Sequence, residues 1–150
     1  MKTKWILVLA GLVLFTVSFF LTAVKEASAS PSASGFPGYL CAYTALLSPW
    51  GSDGLRMLRQ GPLEYFAILF SGWINPVFLI TLVLLLVKPN GRLGAILRIV
   101  TVLMFAACWI VFYNEHLRPR IGYFVWTGAM LLALFAGKLA KFENAAAPSR

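Results

Sequence analysis

The sequence predicts an all-α integral membrane bundle of four transmembrane helices, or three if the first is a cleaved signal, with a partly helical outer loop. Of its 150 residues, 60% are hydrophobic and 12% are charged, and the mean hydropathy is +0.81. Soluble domains usually have about 45–50% apolar and roughly 25% charged residues. The excess lies in four long runs, and the rest of the chain is spread over two tails and three connections too thinly for a separate soluble domain, so we interpret the chain as a single transmembrane domain.

The four predicted spans are residues 5–24, 65–87, 93–113 and 121–139. Each is close to the roughly 20 residues that a helix needs to cross about 30 Å of hydrocarbon. None of them contains Asp or Glu. Proton- and cation-coupled carriers need an intramembrane ionisable group, so this composition argues against them.

The first span has two interpretations. A basic start at Lys2 and Lys4, an apolar run and small residues up to Ala29 fit a signal peptide that is cleaved before residue 30. However, the apolar run is longer than the about 7–15 residues of a signal, and Lys25 and Glu26 precede the small residues. We favour an uncleaved anchor and keep the cleaved signal as the alternative.

The outer loop, residues 25–64, has parts of different character. Residues 27–38 are rich in Ser, Ala, Pro and Gly, which predicts a flexible stretch. Residues 39–47 and 54–60 are apolar enough to form short helices at the membrane surface. The alternative is an ordered loop that packs on the outer ends of the spans.

Two short links set the predicted arrangement of the spans. Residues 88–92 contain Pro followed by Asn-Gly, which predicts a tight turn, so spans two and three should be antiparallel neighbours. Residues 114–120 should do the same for spans three and four. The first span then closes a compact four-helix bundle.

The net charge of +8 serves as a topology signal, because the charges lie at the span ends. With the N-terminus inside, eight Lys and Arg residues fall on the cytoplasmic side and five fall outside. Cytoplasmic segments are enriched in Lys and Arg, so both termini are predicted in the cytoplasm.

The predicted partners are the lipid bilayer and either other membrane subunits or further copies of the chain; nucleic acid is not predicted.

Small residues occupy one face of two spans. In lipid, helix pairs depend on close backbone approach and interhelical hydrogen bonds. We expect these residues to pack within the bundle, with self-association as the alternative. The candidate helix-packing residues are Gly11, Ser18 and Thr22 in span one and Ala129, Ala133 and Gly137 in span four.

The middle of span two carries Asn75 and Pro76. Proline removes a helical hydrogen bond and kinks or weakens the helix, and the amide of Asn75 needs a partner at bilayer depth. One interpretation is a hinge or ligand contact that lines a cavity, together with Trp73. The other, which we favour, is a structural kink with Asn75 bonded to the freed carbonyls.

No catalytic, cofactor or metal site is predicted. His116 is the only histidine and no metal-ligand spacing surrounds it. Cys41 and Cys108 form no CxxC motif, and we expect two free thiols. Trp109, like Trp73, is expected to pack between helices.

The layout also resembles a known group of proteins. Span two contains Ser71-Gly72-x-x-Asn75-Pro76, and span four opens with Arg120-x-Gly122-Tyr123-x-x-Trp126. This pattern, over residues 38–137, resembles small uncharacterised bacterial inner-membrane proteins with four predicted spans. The resemblance implies a bacterial origin and adds nothing about mechanism.

These observations favour a non-enzymatic small integral membrane protein of the bacterial inner membrane. Its expected role is that of an accessory or structural membrane subunit. The alternative is a small oligomeric channel or carrier with a path near Asn75.

Overall fold

The computed structural model of the chain describes residues 2–28, 34–51, 54–87 and 91–146. Helices form 81% of these residues, which confirms the mainly helical prediction. In chain order the elements are helix α1 (Lys2–Ser18), strands β1 (Thr22–Glu26) and β2 (Phe36–Pro37), helix α2 (Gly38–Leu47), a 3₁₀ turn (Ser48–Trp50), helices α3 (Gly54–Gln60), α4 (Pro62–Val87) and α5 (Arg92–Asn114), strand β3 (Leu117–Pro119) and helix α6 (Ile121–Ala146).

Three helices are long and apolar enough to cross a membrane, namely α4, α5 and the Ile121–Leu139 part of α6. The first helix is shorter, because α1 ends at Ser18 whereas the predicted span runs to residue 24. The chain then makes i to i−3 turns as far as Leu21 and continues as β1. Thr22 therefore lies on a strand and does not share a helical face with Gly11 and Ser18.

A small sheet, absent from the all-α prediction, explains this early end. Its strand order is β2-β1-β3, and both pairings are antiparallel. In the register, Val24 faces Pro119 and Glu26 faces Leu117. The backbone groups of β1 find partners in these strands, so the chain loses nothing by leaving the helix. Part of the stretch predicted to be flexible is thus ordered as β2, and residues 29–33 lie outside the described residues.

The long helices form two close pairs. In the first pair, α1 lies against α6, and a Cβ built on Gly11 would come within 2.9 Å of the Ala129 carbonyl oxygen and the Ala133 Cβ. In the second pair, α4 lies against α5, with the buried Thr81 and Thr101 hydroxyls 3.5 Å apart. The predicted turn between α4 and α5 includes residues 88–90, which lie outside the described residues.

The two pairs meet along a seam. α5 and α6 were predicted to be close neighbours because their link is short, but their backbones are held apart by aromatic side chains. The rings of Phe105 and Trp126 have centroids 5.5 Å apart, and those of Phe112 and Tyr123 are 4.8 Å apart. Large rings between two helices widen their separation, which leaves room for cavities in the seam.

The bundle has two different ends. The sheet, α2 and α3 lie at one end, which we call the sheet end, and Lys4, Arg98 and Lys138 lie at the opposite one, the basic end. The middle of the seam is filled by apolar side chains, among which Ile74, Phe78 and Met130 are fully buried. By contrast, the outward faces of the helices expose large apolar side chains, as expected of a surface that faces lipid.

Candidate ligand-binding cavity

A cavity of about 480 Å³ opens in the seam at the sheet end. Its walls come mainly from α2, β1, α4, α5 and α6, with single residues from α1, β2, β3 and the 3₁₀ turn, and they are mainly apolar with a few polar groups. Small-molecule sites usually occupy about 300–1,000 Å³ and have this kind of lining. The side chains used below are Ser18, Cys41, Asn75, Cys108, Glu115, Tyr123 and Trp126.

Helix α2 forms one side of the cavity because two glycines let it approach the bundle. A Cβ on Gly72 of α4 would collide with the backbone of Ala45 and Leu46, and one on Gly38 would collide with the Ser18 carbonyl oxygen. Both contacts are with backbone, which cannot move aside as a flexible side chain can. Glycine at these positions therefore holds the loop helix against α4 and the end of α1.

The amide of Asn75 reaches across the seam. The indole Nε1 of Trp126 on α6 donates a hydrogen bond of 2.9 Å to the Oδ1 of Asn75 on α4. The Asn75 amide is thus bonded to another helix. The interpretation favoured from the sequence, a bond to the carbonyls freed by Pro76, was wrong. Helix α4 is continuous through Pro76, which is half-buried. Asn75 lines the cavity as well, so packing and ligand contact converge on one side chain.

Trp73 has a different environment from Asn75. Its side chain is 41% exposed on the outward face of α4, and that of Trp109 is 51% exposed on α5. Packing between helices was predicted for both. The prediction is wrong for Trp73, whereas the Trp109 ring packs edge-to-face on Tyr123 of α6, with ring centroids 5.9 Å apart. Trp126 and the buried Tyr123 occupy the seam itself. Successive side chains on a helix turn by about 100°, so Trp73 and Asn75 point about 200° apart.

The hydroxyl of Tyr123 is a polar group with no partner of good geometry. Its side chain is only 6% exposed, and its oxygen is buried without a hydrogen bond in the described part of the chain. The hydroxyl of Thr127, one turn further along α6, lies beside it, but the two make no hydrogen bond of good geometry. Buried polar groups are normally hydrogen-bonded, so Tyr123 offers a donor and an acceptor to a molecule in the cavity.

Both cysteines are free and both line this cavity. Cys41 comes from α2 and Cys108 from α5, so the outer loop does reach toward the spans. Burial raises the pKa of the Cys41 thiol to about 11. A thiol with this pKa is almost entirely protonated at neutral pH and is a poor nucleophile, which argues against thiolate chemistry at this position.

A carboxyl group lies at the mouth of the cavity. Desolvation, followed by a hydrogen bond to Glu64 and the charge of Glu64, raises the pKa of Glu115, and the charge of His116 acts in the opposite direction. His116 has a positive φ of 51°, which is uncommon for a non-glycine residue. This turn brings the chain from α5 into β3 and places Glu115 beside Glu64 at the start of α4.

The cavity ends inside the bundle. Asn75 and Trp126 are the lining residues nearest the basic end on α4 and α6. Beyond them lie Phe15 and Phe78, whose ring centroids are 5.0 Å apart, and the fully buried Met130. In the described part of the chain the cavity is therefore a blind pocket and not a path through the molecule.

The predicted packing residues have mixed positions. Gly11, Ala129 and Ala133 meet in the contact between α1 and α6. Ser18 is buried, donates a 2.6 Å hydrogen bond to the Phe15 carbonyl and lines the cavity. Gly137 faces Lys4 at the basic end.

Among the described residues, no group of three or more His, Cys, Asp or Glu side chains could hold a metal ion.

Sequence reasoning missed Tyr123 as a cavity residue, although a signal was present. Tyr123, Trp126, Met130, Ala133 and Gly137 follow one another at spacings of three or four residues. This spacing places all five on one face of a helix, so the small-residue stripe and the two aromatics belong to the same buried surface.

Comparisons of the chain with protein-family models, curated proteins and solved structures found no match.

Proposed function

We propose that the chain is a non-enzymatic, four-span integral membrane protein that holds an apolar or amphiphilic molecule in the cavity at its sheet end. In this role it acts as an accessory subunit of the bacterial inner membrane. The blind apolar cavity carries the proposal, because it combines ligand-sized volume with the unsatisfied Tyr123 hydroxyl. A ligand with one polar group and an apolar body fits this combination.

The fourth span is α1. Its large exposed side chains are apolar, including Leu9, Val13 and Val17, and the exposed Thr16 hydroxyl is bonded to the Leu12 carbonyl of the same helix. Its 17 residues rise about 26 Å, and the turns that continue to Leu21 lengthen the apolar segment. Contact with α6 through Gly11 supports a place beside the three longer helices. The excess of Lys and Arg at the basic end supports cytoplasmic termini.

The alternative, an oligomeric channel or carrier with a path near Asn75, receives less support. A path through one chain would require the layer of Phe15, Phe78 and Met130 to separate. Self-association through the small-residue stripe is also less favoured, since Gly11, Ala129 and Ala133 face one another within the chain. A pore between several copies would have to use other surfaces.

Binding of a small fluorescent apolar amine, 1-aminoanthracene, tests the proposal. We expect saturable binding to the purified full-length protein in mild detergent. Ala42 lines the cavity, so Ala42→Phe fills it and should weaken binding at least tenfold. The matched control is Ala106→Phe, at an exposed position on α5, which should leave the dissociation constant unchanged. Non-saturable binding, or equal effects of the two variants, would count against the cavity as a ligand site.

A further inference from the structure

A second cavity, of about 200 Å³, lies in the seam at the basic end. Its volume is several times the roughly 30 Å³ that one water molecule occupies in the liquid. Leucines of α4, including Leu82 and Leu86, form one wall, and Ala133 and Gly137 of α6 form another. It is separated from the first cavity by the packed layer of Phe15, Phe78 and Met130.

Three cationic side chains from three helices converge on this cavity. They are Lys4 of α1, Arg98 of α5 and Lys138 of α6. The Arg98 guanidinium lies 5.3 Å from the ring centroid of Phe135, and the Lys138 Nζ lies 5.8 Å from the same centroid. Two charges are thus held at one ring, which attracts each of them but does not remove their mutual repulsion.

The positive charge at this cavity has no described counter-charge. None of the described residues that line it is acidic. The Nε of Arg98 is buried and has no hydrogen-bond partner in the described part of the chain. A buried guanidinium N–H without an acceptor is costly, and an anion in the cavity would satisfy it. Of the five acidic residues, only Glu143 lies in the sequence near this end, and its side chain is outside the described residues.

We propose that this basic cavity binds the phosphate group of an anionic phospholipid. The phosphate would accept hydrogen bonds from Arg98 and the ammonium groups of Lys4 and Lys138. Arginine and lysine pockets between membrane helices are suited to lipid headgroups. The leucine wall of α4 lies beside the same cations, so the glycerol and acyl part of a lipid has an apolar surface that free phosphate cannot use.

Lipid titration of the delipidated full-length protein, followed by native mass spectrometry, tests this site. We expect phosphatidylglycerol to bind at least tenfold more tightly than zwitterionic phosphatidylcholine. Inorganic phosphate at the same concentration should bind weakly or not at all. Binding of inorganic phosphate as tight as that of phosphatidylglycerol would assign the cavity to the free ion and overturn the lipid proposal.

Charge variants locate the binding. Arg98→Gln should weaken phosphatidylglycerol binding about fivefold or more. Lys138→Gln should act in the same direction, and because Lys138 is exposed, this variant keeps the test valid if Arg98→Gln does not fold. The matched control is Arg92→Gln, on an exposed side chain six residues earlier on the same helix, which should change nothing.

One result would overturn the assignment by charge. An equal loss of affinity in Arg92→Gln and Lys138→Gln would show that only the overall charge of this end matters. None of these variants touches the cavity at the sheet end, so failure here leaves the proposed function standing.

Discussion

At the scale of single residues, the polar side chains in the seam differ in how they are satisfied. Asn75 is bonded to Trp126 of another helix, whereas the Ser18 and Thr81 hydroxyls bond to carbonyls of their own helices and the Tyr123 hydroxyl has no partner of good geometry. A bond between two membrane helices is worth little on average, about 0.6 kcal/mol in measured cycles. The value of the Asn75 bond lies in fixing which faces of α4 and α6 meet, because a misplaced amide would be left unsatisfied.

The bond between Asn75 and Trp126 leads to the first residue-scale prediction. Asn75→Leu should lower the free energy of unfolding in detergent by about 0.6 kcal/mol, and by no more than about 1.7 kcal/mol. Trp126→Phe removes the donor from the other side. The double variant should be less destabilised than the sum of the two single variants, because the bond can be lost only once. Strict additivity would contradict a direct interaction.

Glu115 predicts a pH dependence. Its pKa in the folded chain is raised above 4.5, chiefly by desolvation and then by Glu64. The folded chain therefore binds more protons than the unfolded chain between pH 4.5 and the raised pKa, and stability must fall as the pH rises through that interval. We expect the melting temperature in detergent to decrease across this interval.

Variants identify the source of that slope. Glu115→Gln cannot ionise and should flatten the decrease in melting temperature. Glu26→Gln, at an exposed position on β1, is the control and should keep the wild-type slope. A slope that survives in Glu115→Gln would exclude this carboxyl group as its cause.

At the scale of elements, glycine positions decide how closely neighbouring elements pack. Gly11 brings α1 against α6, and Gly72 brings α2 against α4. In water such pairs would be driven together by apolar burial, but lipid offers the same apolar environment to a separated helix. Close approach and the dispersion contacts it permits are therefore what holds each pair.

Two glycines of the helix pair α1 and α6 give a matched comparison. Gly11→Leu should destabilise the protein by about 1–3 kcal/mol or more, because its side chain would meet the Ala129 and Ala133 backbone. Gly128→Leu, where nothing lies within 4 Å of a Cβ, should cost little. Thermal unfolding in detergent measures both. Equal destabilisation would mean that α1 does not pack on α6 in this way.

At the scale of the whole molecule, the N-terminal segment is part of the fold. It supplies α1, one member of a helix pair, and β1, the central strand of the sheet. Removal of residues 1–29 would leave β2 and β3 without their shared partner and would expose the α6 face around Ala129 and Ala133. This dependence favours the uncleaved anchor over the cleaved signal.

We therefore expect the mature protein to retain residues 1–29. The intact mass of protein purified from membranes, without an N-terminal tag, measures this directly. A chain that begins at Ser30 would refute the prediction and leave three spans. The unprocessed mass should be unchanged in a variant with Ala27 and Ala29 replaced by Leu, which removes the small residues that a signal peptidase needs.

The sequence by itself determined the mainly helical fold and the positions of three helices that are long and apolar enough to cross a membrane. Both follow from runs of apolar residues whose length must match the hydrocarbon thickness, a property that any stretch of sequence carries locally. The short helices at 38–47 and 54–60 are also close to the ranges predicted from local composition.

Only the tertiary structure decided the end of α1, the sheet and the two cavities. β1 exists because β2 and β3 lie beside it, and hydrogen bonds to distant strands override the local preference of an apolar run for helix. The cavities depend on which helices pair closely and which are held apart by rings such as Phe112 and Tyr123. Cys41, Asn75 and Trp126 are far apart in the chain, so their meeting in one cavity is a property of packing that no local pattern records.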